Sequence, residues 1–496
     1  MKTFGIIDKI IIFGLLILCY IIFFHHLGEF TLRLWDEGRN AVNALEIVKN
    51  HNFIVTYFKG NPDMWNVKPP LHIWIVAIFF KLFGVGELTL RLPSEISATL
   101  VILLIYVFGF KVLNNKLIGL LGSLIILSSM GFPDTHVGRT GDYDALLVLF
   151  SFLGAIFSFI YFQNPSKKIL YLAGLSWTLS VLTKGVAGLL LVPGIILFSI
   201  LSNNIIKLFK DLYFWKLVIF FGLVIGAYYV CRELANHGYI QAVLNKDIFG
   251  RYQKDIGSGG SNFWYYWDLM ASFRFQKWIY FIPISIISFF VTKEKIVKQF
   301  ILYSYLLVVS YFIIISKSET KQFWYDAQLY PLASLLVATF IITLIERLPL
   351  LLRLFPVVIL CFYLQRYVRT NIAYIHRPDL DKSMSCLKYG YLFRDKSINK
   401  DSFIGVHKDT SCSPFKFYLE NNGSATKTID DIDVGDNILT CDTPTLNEIE
   451  RKYSIDTLFD NKDGCIGIKI QKLKSSIGRA CTTAGRSGEG RPSPSS

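Results

Sequence analysis

Charged residues are scarce. Asp, Glu, Lys and Arg make up 18% of the 496 residues, against about 25% in an ordinary soluble domain. With 52% of the chain hydrophobic, 15% aromatic and a mean hydropathy of +0.43, this shortage excludes a water-soluble globular protein and makes lipid the surrounding solvent. A basic stripe is also missing. The net charge is +14, but Lys and Arg do not gather with interleaved aromatics, which excludes a nucleic-acid partner. They lie scattered in short loops between apolar runs, the pattern of the positive-inside rule. No small-residue cleavage site follows the first apolar run (5–27), so it reads as a retained helix with a cytoplasmic N-terminus, not a signal peptide.

The remaining apolar segments centre on 90–110, 117–133, 143–163, 169–184, 186–203, 215–235, 277–292, 299–316, 323–345 and 350–370. Alternate loops carry basic groups: Lys111 and Lys116, Lys167 and Lys168, Lys207 and Lys210, Lys293 to Lys298, Arg347 and Arg353. Placing these loops in the cytoplasm predicts an α-helical polytopic membrane protein with about eleven spans. Residues 69–84 (PPLHIWIVAIFFKLFG) are too short to span, and counting them would invert every later loop. They read as a juxtamembrane helix at the outer face, with 38–50 as a second. A long first loop (28–88) and a second long loop (236–276) then lie outside, and 1–375 forms one transmembrane module. Residues 376–474 are polar, with short alternating runs such as SFIGV and CIGIKI, and predict a small mixed α/β exoplasmic domain. Its Cys386, Cys412, Cys441 and Cys465 allow three disulfide pairings or free buried thiols. From 475 to 496 the chain is Gly-, Ser- and Arg-rich and reads as a disordered tail.

Several charges disobey this topology. Asp36, Glu37 and Arg39 in RLWDEGRNA, Lys68 in WNVKPPL, Arg139, Asp142 and Asp144 in GRTGDYDALL, Lys184 in LTKG, and Lys321 near Tyr325 in SKSETKQFWYDAQLYP all fall at outer helix ends. Each has a structural explanation: carboxylates at helix N-termini as caps, Lys184 snorkelling, Arg139 pairing with Asp142. Together, carboxylates and cations on one side predict a site for an anionic substrate. A transporter would instead place charges midway through spans and show related halves, and neither is visible. A catalytically inactive partner protein is the other alternative.

The series WDEGRNAVNALEIVKN…WNVKPPLHIWIVAIFFKLFGVGELTLRLPS, then GRTGDYDALLVLF, LTKG, GRYQKDIGSGGSNFWYYWDLM and KQFWYDAQLYP, resembles the ordered motifs of one family over roughly residues 1–370. That family contains the lipid A aminoarabinose transferases and bacterial relatives of the protein O-mannosyltransferases. The resemblance implies a GT-C fold, an active site at the membrane surface and a polyprenyl-phosphate-linked sugar donor. Its acceptor would be a lipid, glycan or protein hydroxyl or phosphate, and its home the plasma membrane. It implies Asp36 as catalytic base beside Glu37, and Asp144 as the second acidic group. Lys68, Arg139, Lys184, Lys321 and Arg251 become the phosphate-side cations, and Arg39, Asp142 and Tyr325 substrate contacts. The aminoarabinose transferases carry a metal-associated Glu immediately before Lys-Pro-Pro; here that position is Val67, so a divalent cation is optional. The loop 236–276, with Arg251, Lys254, Gly257, Gly259, Gly260 and the aromatics 264–267, reads as a lid over the donor or as an interfacial aromatic belt.

Overall fold

The computed structural model describes residues 3–34, 36–250, 262–375, 384–394, 403–408, 412–461 and 464–474. The chain divides into two compact units, Met1–Ile398 with Ser411–Gly423, and Asn399–Thr410 with Ser424–Ser496.

The first unit is helical. Among the described residues, eight helices are long and apolar enough to cross a membrane: Ile6–Phe24, Glu87–Lys111, Asp144–Gln163, Lys167–Leu189, Leu212–Ala235, Lys295–Lys317, Phe323–Arg347 and Leu350–Ile375. All eight coincide with expected spans. The other three expected spans are shorter or broken, each for a local reason. Lys116–Ser128 has 13 residues; a helix of that length rises about 20 Å, short of the roughly 30 Å hydrocarbon core. Asn115 caps its start by accepting the Leu117 N–H at 3.0 Å. The run 186–203 opens as a 3-10 turn at Gly185, whose φ is +58°, and becomes the helix Val192–Leu201. The run 277–292 breaks into Gln276–Tyr280, Phe281–Ile284 and Ile287–Val291 around Pro283, which lacks the N–H a continuous helix needs. The segment set aside as too short is a helix, Leu71–Phe83, of 13 residues.

Two of the long helices have little protein around them. On Leu212–Ala235 only Leu217 and Arg232 are buried, and on Leu350–Ile375 only Leu364 and Asn371. Leu351 is 90% exposed and Phe355 73%, so these apolar flanks need lipid to cover them. The interior is instead built on close helix pairs. Glu87–Lys111 and Lys116–Ser128 touch backbone to backbone: a Cβ on Gly109 would stand 2.4 Å from the Gly119 Cα. Gly109→Val is therefore expected to destabilise the bundle by about 3 kcal/mol. Thermal unfolding of the detergent-solubilised protein measures this, and an unchanged transition would show that the two helices can separate freely.

Two helices beyond residue 375, Ser385–Arg394 and Ser413–Asn421, belong to this first unit. A disulfide joins Cys386 to Cys412. Ser413–Asn421 lies on the helix Asp36–Asn50, where Gly38 leaves room for Pro414; a Cβ there would meet Pro414 Cδ at 2.9 Å. Tyr418 Oη donates to Glu87 Oε1 at 2.8 Å and accepts the Leu32 N–H at 3.0 Å. The expected independent segment 376–474 is thus divided in the structure.

The second unit is the expected small α/β body. Ile404–Gly405 (β3) pairs in parallel with Asn437–Thr440 (β4), after a two-residue hairpin (β1 Tyr57–Phe58, β2 Asn61–Pro62) in the first unit. Ile466–Leu473 (β6) runs antiparallel between β4 and Tyr453–Asp460 (β5), giving the order β3-β4-β6-β5. Ile438, Ile468, Ile470 and Ile449 of the helix Thr443–Lys452 form its core. A disulfide between Cys441 and Cys465 ties the end of β4 to the start of β6.

Candidate active site

The first-loop helix Asp36–Asn50 opens on Asp36 and Glu37, and these neighbouring carboxylates have opposite fates. Glu37 is fully buried. Its Oε1 accepts Arg91 Nε at 2.7 Å and the Gly141 N–H at 2.8 Å, while Oε2 accepts the Arg33 N–H at 2.6 Å. Burial pushes its pKa up, but the charge and hydrogen bonds of Arg91 outweigh this and hold the carboxyl below the usual glutamate value. Glu37 takes these hydrogen bonds from structural groups of the fold. It bolts the start of this helix to Glu87–Lys111 and to the turn at Gly141.

That turn is clamped from three further sides. Asn40 Nδ2 and the neutral His72 Nε2 donate to Gly141 O at 3.0 and 3.1 Å, and Ser94 Oγ donates to Asp142 O at 2.9 Å. Burial keeps the His72 pKa down at about 4. The clamped turn carries Asp142 and, at the first position of the helix Asp144–Gln163, Asp144. Asp144 and Lys184 are both buried and lie 2.6 Å apart. Lys68, also buried, has Nζ 3.9 Å from Asp36 Oδ2 and 5.0 Å from the Tyr143 ring centre. Asp36 keeps 29% of its side chain exposed.

A cavity of ≈ 460 Å³ adjoins these groups. It is lined by polar groups, among them Lys68, Asp144, Lys184 and Gln328, and by apolar ones such as Leu147, Leu190 and Ile315. Tyr325 is placed by its carbonyl, which accepts from Tyr311 Oη at 2.7 Å, and Gln328 by donating to Ala187 O at 3.0 Å. A largely apolar cavity lined also by two buried ammonium groups suits an anion with a hydrocarbon tail.

Other expected site residues are used differently. Arg139 has a left-handed φ of +59°, and its guanidinium caps the carbonyls of Ile22 and His25 at 3.0 Å, so it closes a helix end instead of reaching the cavity. Arg39 makes a two-pronged pair with Asp63 at 2.8 Å and lies 4.2 Å over the Phe58 ring. Lys321 is buried and donates to Ser318 O at 2.6 Å; Ser318, not Lys321, lines the cavity. Arg251, Lys254, Gly257, Gly259 and Gly260 lie outside the described residues. Of the same loop, Asp247 and Phe249 line the cavity and Tyr266 is buried, donating to Gln322 O at 3.1 Å.

Sequence reasoning missed His136. Its ring stacks on Trp324 at 3.7 Å and 17°, and its Nδ1 lies 3.3 Å from Asp142 Oδ2. Burial pushes the imidazole pKa down, but Asp142, and after it Asp36 and Asp144, raise it overall. Asp36, His136 and Asp142 place potential metal-ligating atoms within 4.8 Å of one another. The only sequence signal was position: His136 precedes GRTGDYD by two residues. Also missed was the buried Arg274, which holds Asp326 through two 2.8 Å bonds and Asp134 at 3.4 Å and lies 5.2 Å over the Phe323 ring.

A family model described as dolichyl-phosphate-mannose-protein mannosyltransferase matches residues 67–229. An uncharacterized protein of Aquifex aeolicus is 25% identical over 65% of this chain, a match spanning 62% of the relative's own length. The undecaprenyl phosphate-alpha-4-amino-4-deoxy-L-arabinose arabinosyl transferase 2 of Proteus mirabilis is 26% identical over 58% of this chain and 52% of its own. Among solved structures, ArnT from Cupriavidus metallidurans bound to undecaprenyl phosphate superposes with a TM-score of 0.70 at 14% identity, covering 93% of this chain and 97% of ArnT. The oligosaccharyltransferase of Archaeoglobus fulgidus reaches 0.53 at 9% identity, covering 94% of this chain and 74% of its own. These structural likenesses carry the fold, and the family-model match runs from Lys68-Pro-Pro through the GRTGDYD and LTKG motifs. The chain thus has a GT-C fold like that of ArnT, and over residues 67–229 it is similar to the dolichyl-phosphate-mannose-protein mannosyltransferase family.

Proposed function

We propose that the chain is a membrane glycosyltransferase that moves a sugar from a polyprenyl-phosphate donor to a hydroxyl or phosphate of a lipid, glycan or protein acceptor at the outer face of the plasma membrane. The observation that carries this reading is the largely apolar cavity lined by two buried lysines, with Asp36 3.9 Å from Lys68. The apolar walls suit the first isoprene units and the lysines suit the phosphate. The names of the relatives, one an undecaprenyl-phosphate-dependent transferase, point to the same donor class.

In the reaction, an acceptor oxygen forms a bond to the anomeric carbon as the bond from that carbon to the phosphate oxygen breaks. The acceptor proton passes to a carboxylate, and the polyprenyl phosphate leaves with the bonding electrons. Phosphate needs no strong acid to leave, but its growing charge needs fixed cations, which Lys68 and Lys184 supply. Asp144 is unsuited to be the base, because both its oxygens already accept from Lys184 at 2.6 Å. Asp36 is more open and takes that role. Direct displacement inverts the anomeric centre.

The test incubates purified protein with polyprenyl-phosphate sugars and membrane lipids and follows donor and acceptor masses. A sugar-sized gain on an acceptor, absent with Asp36→Asn, supports the proposal; no gain over a broad donor and acceptor panel counts against it. Lys68→Ala is expected to raise the donor KM by about tenfold or more, the loss of one charge-assisted contact, with the acceptor KM little changed. Equal donor saturation curves would remove Lys68 from the phosphate end.

A further inference from the structure

A helix length away from the cavity, the ends of three spans, Asp144–Gln163, Lys167–Leu189 and Leu212–Ala235, gather positive charge. The helix Lys167–Lys184 reaches the cavity at Lys184. Its 18 residues rise about 27 Å, so Lys167 stands at the opposite membrane surface. There Lys167 Nζ lies 3.9 Å from the Tyr213 ring centre and donates to Tyr213 Oη, while Lys216 Nζ lies 5.5 Å from the same ring. Asp211 holds Tyr213 in place. It caps the helix Leu212–Ala235 by accepting the Tyr213 N–H at 2.9 Å, and it accepts from Tyr161 Oη at 3.0 Å. Both lysines are exposed, as are Lys168 beside them and Lys207 and Lys210 on the short helix Ile205–Lys210. Among the described residues, none of these five lysines pairs with a carboxylate.

Apolar groups flank these charges. Phe209, Leu212, Trp215 and Phe220 are exposed, and Trp215 Nε1 donates to Phe209 O at 2.8 Å, which folds the short helix back onto the start of the span. The helix Leu212–Ala235 buries only Leu217 and Arg232, so acyl chains cover its flank up to the level of these lysines. We propose that Lys167, Lys216 and Tyr213 bind the headgroup phosphate of an anionic glycerophospholipid, with Lys168, Lys207 and Lys210 adding attraction from nearby. The two ammonium groups supply charge and donors. The phenol oxygen already accepts from Lys167, and its own O–H can donate to a phosphate oxygen. A lipid satisfies both halves of this surface, the cations with its headgroup and the aromatics with its chains. A free anion or an acidic protein loop reaches the cations alone.

The site is independent of the transferase reading, because lipid binding is measured without sugar transfer. The full chain in detergent is titrated with phosphatidylglycerol, or with phosphatidylcholine of the same acyl chains, and native mass spectrometry counts the lipids bound. One phosphatidylglycerol per chain is expected to bind at least ~10-fold more tightly than phosphatidylcholine, and Lys167→Gln/Lys216→Gln to abolish that preference. Lys295→Gln/Lys298→Gln removes the same charge at the start of another span that ends at the cavity, Lys295–Lys317, and should keep it. Tyr213→Phe, which loses only the O–H, should weaken phosphatidylglycerol binding by a few-fold. Thermal unfolding of each variant checks that it is folded. Equal phosphatidylglycerol affinity in wild type and folded Lys167→Gln/Lys216→Gln overturns the site. An equal loss in both double variants also overturns it, since net charge alone would then be responsible. Displacement of the bound lipid by an equal concentration of inorganic phosphate, or a copurifying acidic protein that Lys167→Gln/Lys216→Gln releases, overturns the lipid as occupant.

Discussion

Asp36→Asn is expected to lower sugar transfer by roughly 10²- to 10⁴-fold, the range a positioned general base supplies, while the protein stays folded. The amide is almost the same size, and Asp36 is only partly buried, with Lys68 at 3.9 Å as a loose neighbour. The fold does not hang on it, because the neighbouring Glu37 carries the structural load. The expected signature is a fall in kcat with the donor KM nearly unchanged, as for an interaction made only in the transition state. Single-turnover transfer with saturating donor measures it. A turnover within a few-fold of wild type would remove Asp36 as the base.

Arg91→Met has the largest expected effect on stability. Arg91 is 1% exposed; it holds Glu37 through 2.7 and 3.1 Å bonds and donates to the carbonyls of Leu27, Phe30 and Thr31 at 2.8 to 3.0 Å. Removing it leaves the fully buried Glu37 without its cation, a change of about 3–5 kcal/mol. Three carbonyls at the end of the first transmembrane segment lose their donor as well. The first loop would loosen from Glu87–Lys111, so transfer should fall with stability. Glu37→Gln is the control: the Arg91 guanidinium stays buried but keeps its three carbonyl acceptors, and the amide oxygen still accepts, so its loss should be smaller.

The same pair sets a pH dependence. Glu37 has a folded pKa below its ordinary value of 4.5, so its contribution is present above that value. It is lost as pH falls through the lowered one. Thermal unfolding of wild type should therefore weaken on acidification below about pH 4.5, and Glu37→Gln should show a shallower fall. Parallel pH profiles for the two proteins would show that Glu37 is not the group responsible.

The membrane character of the chain was legible because lipid selects on composition and run length, which are properties of the sequence itself. The eight long spans fall where the apolar runs and basic loops placed them. The ordered motifs from WDEGRNA to KQFWYDAQLYP name residues that the fold brings together: Lys68, Asp144, Lys184 and Tyr325 line one cavity. What run length could not show was continuity. Pro283 and Gly185 break apolar runs that hydropathy reads as whole, since a window average does not register a missing N–H or a left-handed φ.

Pairing was decided only by the tertiary structure. Asp36 and Glu37 are adjacent and chemically alike, yet one opens toward Lys68 and the other disappears beneath Arg91, 54 residues away along the chain. Arg139 and Arg39 resembled Lys184 as cations near outer helix ends, but the folded chain gives them to helix-end carbonyls and to Asp63. His136 carried no motif at all and was brought to Asp142 by the turn and to Trp324 by a helix nearly 200 residues later. A charge gains its role from whichever partner shares its low-dielectric surroundings. The sequence alone determined that this chain lives in a membrane, the order of its spans and the stretch where its chemistry gathers. Which of its charges remain for a substrate depended on burial and distance, and these exist only once the helices have packed.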